Sequence, residues 1–575
     1  MPTEKKLTGY PSIDKPWLKY YSEEAINAPL PKGSMFDFLH SSNKEHLGEI
    51  ALKYYGTDIT YSTLFENVEL TAQSFADIGV KKNDVILFFT VSMPEVIYSI
   101  YGLNKIGAVC NFINALSSVE EVHNYLLECG SKVMVCLDLF VNKVISAIKE
   151  TQVEKVIVMS LANSMPIVKK VLFSAKIKSK LIDYKGNDMF ASWSNFISNT
   201  SKSSLQTLNG DSEDVAIVGH TGGTTGFPKS VLLTNKAINS IAFQYLKAYK
   251  YNRQEVALDI IVPQSVYGIS INIHMPLCLG VSLAIIPKFD GEDWPKYIKW
   301  YKPNHIAAAP PHIIPLMSFP KINLSSFVTI GFGGDGLSES MENSLNEFLE
   351  SHGCKAKLTK GYGLSETGAA AFTTYNDYNK LQSVGIPLPK NTVMIWDQET
   401  QKECTYGVVG EICINGPGIM KEYANNPEQT EKMIQRHSDG YVWLHTGDLG
   451  YLDEDGFLYI DGRIKRIILS YKDGVCGKIY PDRIEKQISD MKEIKFVCII
   501  GSPDQSRGMV AIAYIVVKED YTGKEKVVEK KLREYCKKEF PEYAQPVRYV
   551  FCKSLPLTPI GKVDYRALEK EAENL

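Results

Sequence analysis

The sequence predicts an α/β protein: parallel-sheet units over about the first 380 residues, a β-rich stretch after them, and a separate α+β tail. Two observations carry this. From Ile59 to about Met134, short apolar runs alternate with helical patterns, and the alternation continues past Asp214 to Phe327, the sequence form of βαβ units. Near residue 462 the charged run Asp461-Gly462-Arg463-Ile464-Lys465-Arg466 separates this region from a tail with its own strand and helix periods.

In chain order, residues 1 to about 35 hold Tyr10-Pro11, Lys15-Pro16-Trp17 and Pro29-Leu30-Pro31, a turn-rich lead-in expected to pack across the main domain. Asp84–Phe89 reads as a strand and Pro94–Ile106 as the helix after it, with further strands at Asp214–Val218 and Phe327–Ile330. In the tail, Phe496–Ile500 and Val510–Val517 read as strands and Val527–Phe540 as a charged helix. Ser164–Ile182 carries five lysines (Lys169, Lys170, Lys176, Lys178, Lys180) and no acid. At helical spacing Val168, Val171, Leu172, Ala175 and Ile182 share a stripe. Two readings stay open: a helix lying weakly on an anionic membrane surface, or a solvated helix packed on the domain.

Composition narrows the function. The 575 residues are 44% apolar and 22% charged, ample for sizeable cores and unlike a disordered or fibrous chain. With 63 Lys+Arg against 66 Asp+Glu the net charge is −3, so no global basic field holds a nucleic acid. Eleven scattered cysteines without a CxxC pair argue against a disulfide framework or a zinc cluster. With no secretory h-region at the start and no run of about 18 apolar residues, a cytoplasmic protein is the expectation.

Four clusters carry chemistry. His220-Thr221-Gly222-Gly223-Thr224-Thr225-Gly226-Phe227-Pro228-Lys229 follows a strand and precedes a helical pattern. Its glycines let amides curl round an anion, its threonines add donors and Lys229 adds charge, which together make a polyphosphate cradle. It is not GxxxxGK[ST], because Pro228 precedes the lysine. Gly361-Tyr362-Gly363-Leu364-Ser365-Glu366-Thr367-Gly368 offers a carboxylate for Mg²⁺ and a ring for a flat base. Trp443-Leu444-His445-Thr446-Gly447-Asp448 is followed fifteen residues later by Arg463, beyond a hairpin expected on Asp455-Gly456; the carboxylate suits ribose hydroxyls and the guanidinium a sugar and a phosphate. Pro556-Leu557-Thr558-Pro559-Ile560-Gly561-Lys562 lies near the end of the sequence.

In this order the four clusters resemble the superfamily of adenylating enzymes that includes acyl-CoA synthetases, 4-coumarate-CoA ligases, firefly luciferases and nonribosomal-peptide adenylation domains. The resemblance takes in Gly331-Phe332-Gly333-Gly334-Asp335, Val384-Gly385-Ile386-Pro387, Gly410-Glu411 and Gly416-Pro417, and spans about residues 35 to 570. It implies a large N-terminal domain of α/β subdomains with a β-barrel-like part, residues 1–462, and a small mobile α+β domain, 463–575, hinged near Lys465. It also implies that a carboxylic acid and Mg-ATP give acyl-AMP and pyrophosphate, after which the small domain rotates and the acyl group passes to CoA. By the same resemblance Thr221, Thr224, Thr225 and Lys229, with Gly222, Gly223 and Gly226, hold the β- and γ-phosphates, and Glu366 holds Mg²⁺. Tyr362, Gly363 and the Gly333-Gly334-Asp335 loop frame adenine, Asp448 and Arg463 hold ribose, and Lys562 meets the carboxylate and α-phosphate.

The chain departs from the family pattern at three places. Ser230 follows Lys229 where the family has glycine. Pro263-Gln264-Ser265-Val266-Tyr267-Gly268 lacks the family's frequent histidine. Pro481 comes eighteen residues after Arg463, because the segment Ser470–Gly477 reads as a longer loop. No acid occurs between Asp259 and Asp290, which disfavours an α-amino acid, since its buried ammonium needs a carboxylate. The small Ala369, Ala370 and Ala371 lean towards a medium- or long-chain fatty acid. The alternatives are a ligase loading a separate carrier protein, an aryl-acid CoA ligase, a non-catalytic nucleotide binder, and a luciferase-like oxygenase.

Overall fold

The computed structural model describes residues 7–572 except 185, 202–209, 222–227, 335, 376–377, 473–474, 505 and 558–562. An eight-stranded sheet runs, in spatial order, Glu422–Tyr423, Ser230–Thr234, Val215–His220, Val109–Phe112, Val85–Phe89, Val133–Leu137, Lys155–Met159, Phe190–Ser192. A nine-stranded sheet runs Ile386–Pro387, Phe372–Thr373, Leu358–Tyr362, Thr329–Phe332, His305–Ala308, Val256–Asp259, Ser282–Ile285, Ile50–Tyr54, Thr57–Thr60. Central pairs in both are parallel; both edges of the nine-stranded sheet and the Glu422–Tyr423 edge of the eight-stranded one are antiparallel, while its Phe190–Ser192 edge is parallel. The strand Val133–Leu137 is buried at every residue, as strands covered on both faces by crossover helices must be. Helix Pro94–Lys105 begins with proline, where the missing amide costs nothing, and is buried up to Asn104.

The expected strand Phe327–Ile330 begins two residues late, at Thr329–Phe332. Val328 and Thr329 both donate their amides to Asn304 O, so the chain joins the sheet opposite His305, while Phe327 is spent filling the core beneath it. The lead-in packs as expected. Trp17 is fully buried, and Gly456, at φ +91°, lies so close that an added Cβ would sit 2.9 Å from the Trp17 amide nitrogen.

Beyond the nine-stranded sheet lies a β-rich sheet, mostly antiparallel hairpins, of Lys402–Glu403, Thr392–Asp397, Gly410–Asn415, Val442–Leu452 and Ile434–Arg436, with Leu458–Arg463 also paired to Val442–Leu452. The turn between the last two holds Asp455-Gly456. The chain leaves this sheet at Arg463, and its next strand, Ile468–Lys472, belongs to a five-stranded tail sheet with Val475–Ile479, Ile494–Asp504, Gly508–Val517 and Arg548–Phe551. In place of the expected long loop at 470–477, residues 470–472 and 475–477 lie on paired antiparallel strands, Ile468–Lys472 and Val475–Ile479. The tail strand expected at Phe496–Ile500 extends to Ile494–Asp504, because its pairing continues to Asp504 opposite Gly508.

The lysine-rich segment is helical over Ile167–Ile177. Phe173 and Ile177 face the body, whereas Val168, Val171, Leu172 and Ala175 of the stripe are exposed. The apolar stripe therefore points outward, and the packed side is that of Phe173 and Ile177. No helix among the described residues is long and apolar enough to cross a membrane.

Candidate active site

The phosphate-cradle motif sits on a hairpin. His220, ending the strand Val215–His220, pairs with Ser230, which begins Ser230–Thr234. One step further out Thr221 donates its amide to Lys229 O at 3.0 Å, and Lys229 donates its amide to Thr221 Oγ1 at 3.1 Å. These two bonds tie the stems at Thr221 and Lys229. Gly222, Gly223, Thr224, Thr225 and Gly226 lie outside the described residues. Ser230, the departure from the glycine pattern, is buried and donates its hydroxyl to Glu128 Oε1 at 2.8 Å, so its side chain points away from the loop it follows.

A second loop is fastened to this stem. Ser365 Oγ donates to His220 O at 3.1 Å, which brings Glu366 beside Lys229. Gly363 is required here, since a Cβ would fall 2.3 Å from Ala369 O. Glu366 is buried and its Oε1 accepts a 2.5 Å hydrogen bond from the Tyr423 hydroxyl. The Lys229 ammonium lies 4.3 Å over the Tyr423 ring and 3.4 Å from Gln429 Oε1. Burial, then the positive charge of Lys465, lowers the Lys229 pKa, while Glu366 opposes the shift. Lys465, the expected hinge residue, thus comes close enough to be felt at the cradle's lysine.

The third group grows from the same strand that leads into the Glu366 loop. Tyr362, at the end of Leu358–Tyr362, donates its hydroxyl to Asp448 Oδ2 at 2.7 Å, and Arg463 Nε lies 3.0 Å from Asp448 Oδ1. Asp448 and Arg463 are direct cross-strand partners, so their separation in sequence is the length of one hairpin. Asp448 raises the Arg463 pKa against the effect of burial. Burial and then the Asp448 charge push the Tyr362 phenol well above its usual range. Glu411 holds the bend before Asp448: its Oε1 accepts the Gly447 amide at 2.9 Å and its Oε2 lies 2.9 Å from His445 Nδ1.

Gly333 and Gly334 follow the strand Thr329–Phe332. Gly333 donates its amide to Ala308 O and leaves only 3.3 Å between an added Cβ and Gly361 O, and Gly334 has φ +86°. The tight backbone approach gives a narrow slot beside Tyr362. Asp335 and Lys562 lie outside the described residues; the segment holding Lys562 is closed at its base by a Leu557–Val563 bridge. Ala370 and Ala371 are buried in hydrophobic clusters, so their small size serves packing there. Tyr423 and Gln429 belong to none of the sequence motifs, and Ser365 and Glu411 stand within motifs without a role of their own. Tyr423 is 57 positions from Glu366, and no spacing rule joins them.

The family model for the AMP-binding enzyme matches residues 39–424, and that for the AMP-binding enzyme C-terminal domain matches 483–562. The chain belongs to the AMP-binding enzyme family. It is similar to the long-chain-fatty-acid–CoA ligase of Bacillus subtilis (strain 168), with 29% identity over 97% of this chain and 99% of that protein. It is also similar to 4-coumarate–CoA ligase 2 of Petroselinum crispum, with 26% identity over 88% of each chain. The ATP-bound RpMatB-BxBclM chimera B1 superposes with TM-score 0.81 at 20% identity, over 95% of this chain and 100% of that one. This enzyme is thus an adenylate-forming acid–CoA ligase by family, with a large N-terminal and a small C-terminal domain.

Proposed function

We propose that this enzyme activates a medium- or long-chain fatty acid with ATP to acyl-AMP and transfers the acyl group to CoA. The observation that supports adenylation is the joining of three motifs: Ser365 is hydrogen-bonded to His220, Tyr423 contacts both Glu366 and Lys229, and Tyr362 is hydrogen-bonded to Asp448, which pairs with Arg463. The fatty acid rests on the full-length similarity to the Bacillus subtilis ligase and on the lack of an acid from 260 to 289.

In this reading the substrate carboxylate attacks the α-phosphorus of ATP, and the bond to the bridging oxygen of pyrophosphate breaks. Negative charge accumulates on the phosphoryl oxygens, and fixed donors and cations offset it. Thr221, Thr224, Thr225 and Lys229 hold the β- and γ-phosphates, Tyr362 and the Gly333–Asp335 loop flank adenine, and Asp448 with Arg463 holds the ribose. Glu366 fits a Mg²⁺ ion, which commonly takes one or two protein carboxylates and completes its shell with phosphates and water; the ion would neutralise phosphate charge. Lys562 belongs to a small domain, 463–575, that turns about Lys465. After adenylation it withdraws, and the CoA thiolate attacks the acyl carbon and expels AMP.

The test is acid-dependent ATP–pyrophosphate exchange with saturated acids from acetate to stearate and with 4-coumarate, followed by thioester formation with CoA or with a carrier protein. Best exchange with medium or long saturated acids and transfer to CoA supports the proposal. Preference for 4-coumarate, or transfer to the carrier protein alone, overturns it.

A further inference from the structure

The outward stripe of helix Ile167–Ile177 is unusual for a surface helix. Ile167, Val168, Val171 and Leu172 are 80%, 72%, 63% and 66% exposed. On a helical wheel they span one arc opposite the buried Ile177, with Lys169 and Lys176 at one margin and Lys170 at the other. Lys178 and Lys180 follow on the next turn, also exposed. An apolar arc this wide, kept out of the core, forfeits burial that a structural helix would have used.

A second helix, remote in sequence, comes near the turn that seats the first. Lys169 Nζ donates to Tyr55 O at 2.5 Å, seating the first helix on the Tyr55-Gly56 turn. Tyr301, from the helix Trp294–Tyr301, lies close to the Tyr55 backbone. Next to Tyr301 stands Trp300, 61% exposed, flanked by the exposed Lys299 and Lys302. Residues 167–180 and 299–302 together expose aliphatic side chains, one indole and seven lysines.

We propose that this face docks on the surface of an anionic lipid bilayer. Aliphatic residues enter the acyl boundary, the indole sits at headgroup depth, and lysine stems lie along the apolar layer with their ammonium groups among the phosphates. Charge decides between occupants. A second copy of the same face would bring lysines against lysines, which repels, whereas an anionic leaflet attracts each of them. The enzyme's net charge of −3 makes the attraction local, so binding is oriented. The inference stands independently of the substrate proposed above.

The experiment is co-sedimentation of the full chain with vesicles of phosphatidylcholine, alone or with about a third phosphatidylglycerol, in low and high salt. The expected result is at least about tenfold greater partitioning to the anionic vesicles in low salt, lost in high salt, since each lysine near the surface is worth roughly fivefold. Lys170→Glu/Lys176→Glu and Val171→Asp/Leu172→Asp should each lower it by about tenfold or more. Both should leave turnover of a water-soluble acid unchanged, a check that the variants are folded. Vesicles should also shift tryptophan fluorescence to the blue in the wild type and less in Trp300→Phe. Equal partitioning to neutral and anionic vesicles overturns the proposal, as does undiminished binding by the Val171→Asp/Leu172→Asp variant. So does a dimer that Leu172→Asp abolishes.

Discussion

The Tyr423 hydroxyl donates a 2.5 Å hydrogen bond to Glu366 Oε1 while its ring lies 4.3 Å beneath the Lys229 ammonium. One tyrosine therefore fixes the carboxylate and the cation that flank the phosphate loop. Removing the hydroxyl should free the carboxylate to rotate. Tyr423→Phe is expected to slow acid-dependent exchange about tenfold, the usual worth of a hydrogen bond to a charged group.

Glu366→Ala removes the carboxylate itself, and exchange should fall by about a hundredfold or more, with Glu366→Gln partly recovered at high Mg²⁺. Exchange at the wild-type rate in folded Glu366→Ala sinks the metal assignment.

Asp448 is buried and held by both Tyr362 and Arg463, leaving it fixed in orientation. If it accepts the ribose hydroxyls, the wild type should prefer ATP over 2′,3′-dideoxy-ATP by about a hundredfold, because the latter lacks the hydroxyls that would donate to the charged carboxylate. Asp448→Asn should lose most of that preference by raising KM for ATP, with the KM for the acid little changed. A variant that keeps the preference contradicts the ribose role.

Much of this arrangement was legible in the sequence, and what was not has a common cause. The strands of the parallel sheets and the helix after Met93 follow from local periodicity, and the Asp448–Arg463 pair follows from a hairpin whose turn residues are visible. Tyr423 reaches Glu366 through a strand, Glu422–Tyr423, that adds to the edge beside Ser230–Thr234, a pairing that only the assembled sheet creates. Residues 470–477 read as a loop because tail-sheet pairing, not local turn chemistry, orders the paired strands there. The stripe on Ile167–Ile177 was correctly periodic, but periodicity cannot say which side of a helix the body occupies.

Stability should depend on pH through Asp259. This residue, at the end of Val256–Asp259, is fully buried, with neither carboxyl oxygen hydrogen-bonded among the described residues, and burial raises its pKa to about 8. Glu95 is likewise raised by burial, to about 7. The folded protein keeps these protons over a range where the unfolded chain, titrating near pH 4, has lost them. Below that range neither group contributes. Above about pH 4 the folded state binds more protons, so stability falls as pH rises, by up to about 1.4 kcal/mol per pH unit per group, and levels off above pH 8. Asp259→Asn should flatten the fall in Tm between pH 5 and pH 8. A variant with the wild-type slope refutes the placement of this titration at Asp259.

The two half-reactions should separate genetically. The structure runs Leu458–Arg463 in the β-rich sheet and Ile468–Lys472 in the tail sheet, with Lys465 in the short turn between them. Arg466, next to it, is anchored on the tail side by Asp482 and Glu485, so the rotation proposed above would be absorbed near Lys465. Lys465→Pro locks φ at about −65° and should hold one conformer, retaining much of the exchange activity while losing thioester formation. Lys562→Ala makes the converse case. It should lose about 10² to 10³ in the adenylation rate, the cost of removing one preorganised donor at a transition state, yet still convert ready-made acyl-AMP to thioester, because Lys562 has left the site by then. Measuring both half-reactions in both variants gives four rates, and a Lys562→Ala enzyme equally impaired in both steps would refute domain alternation.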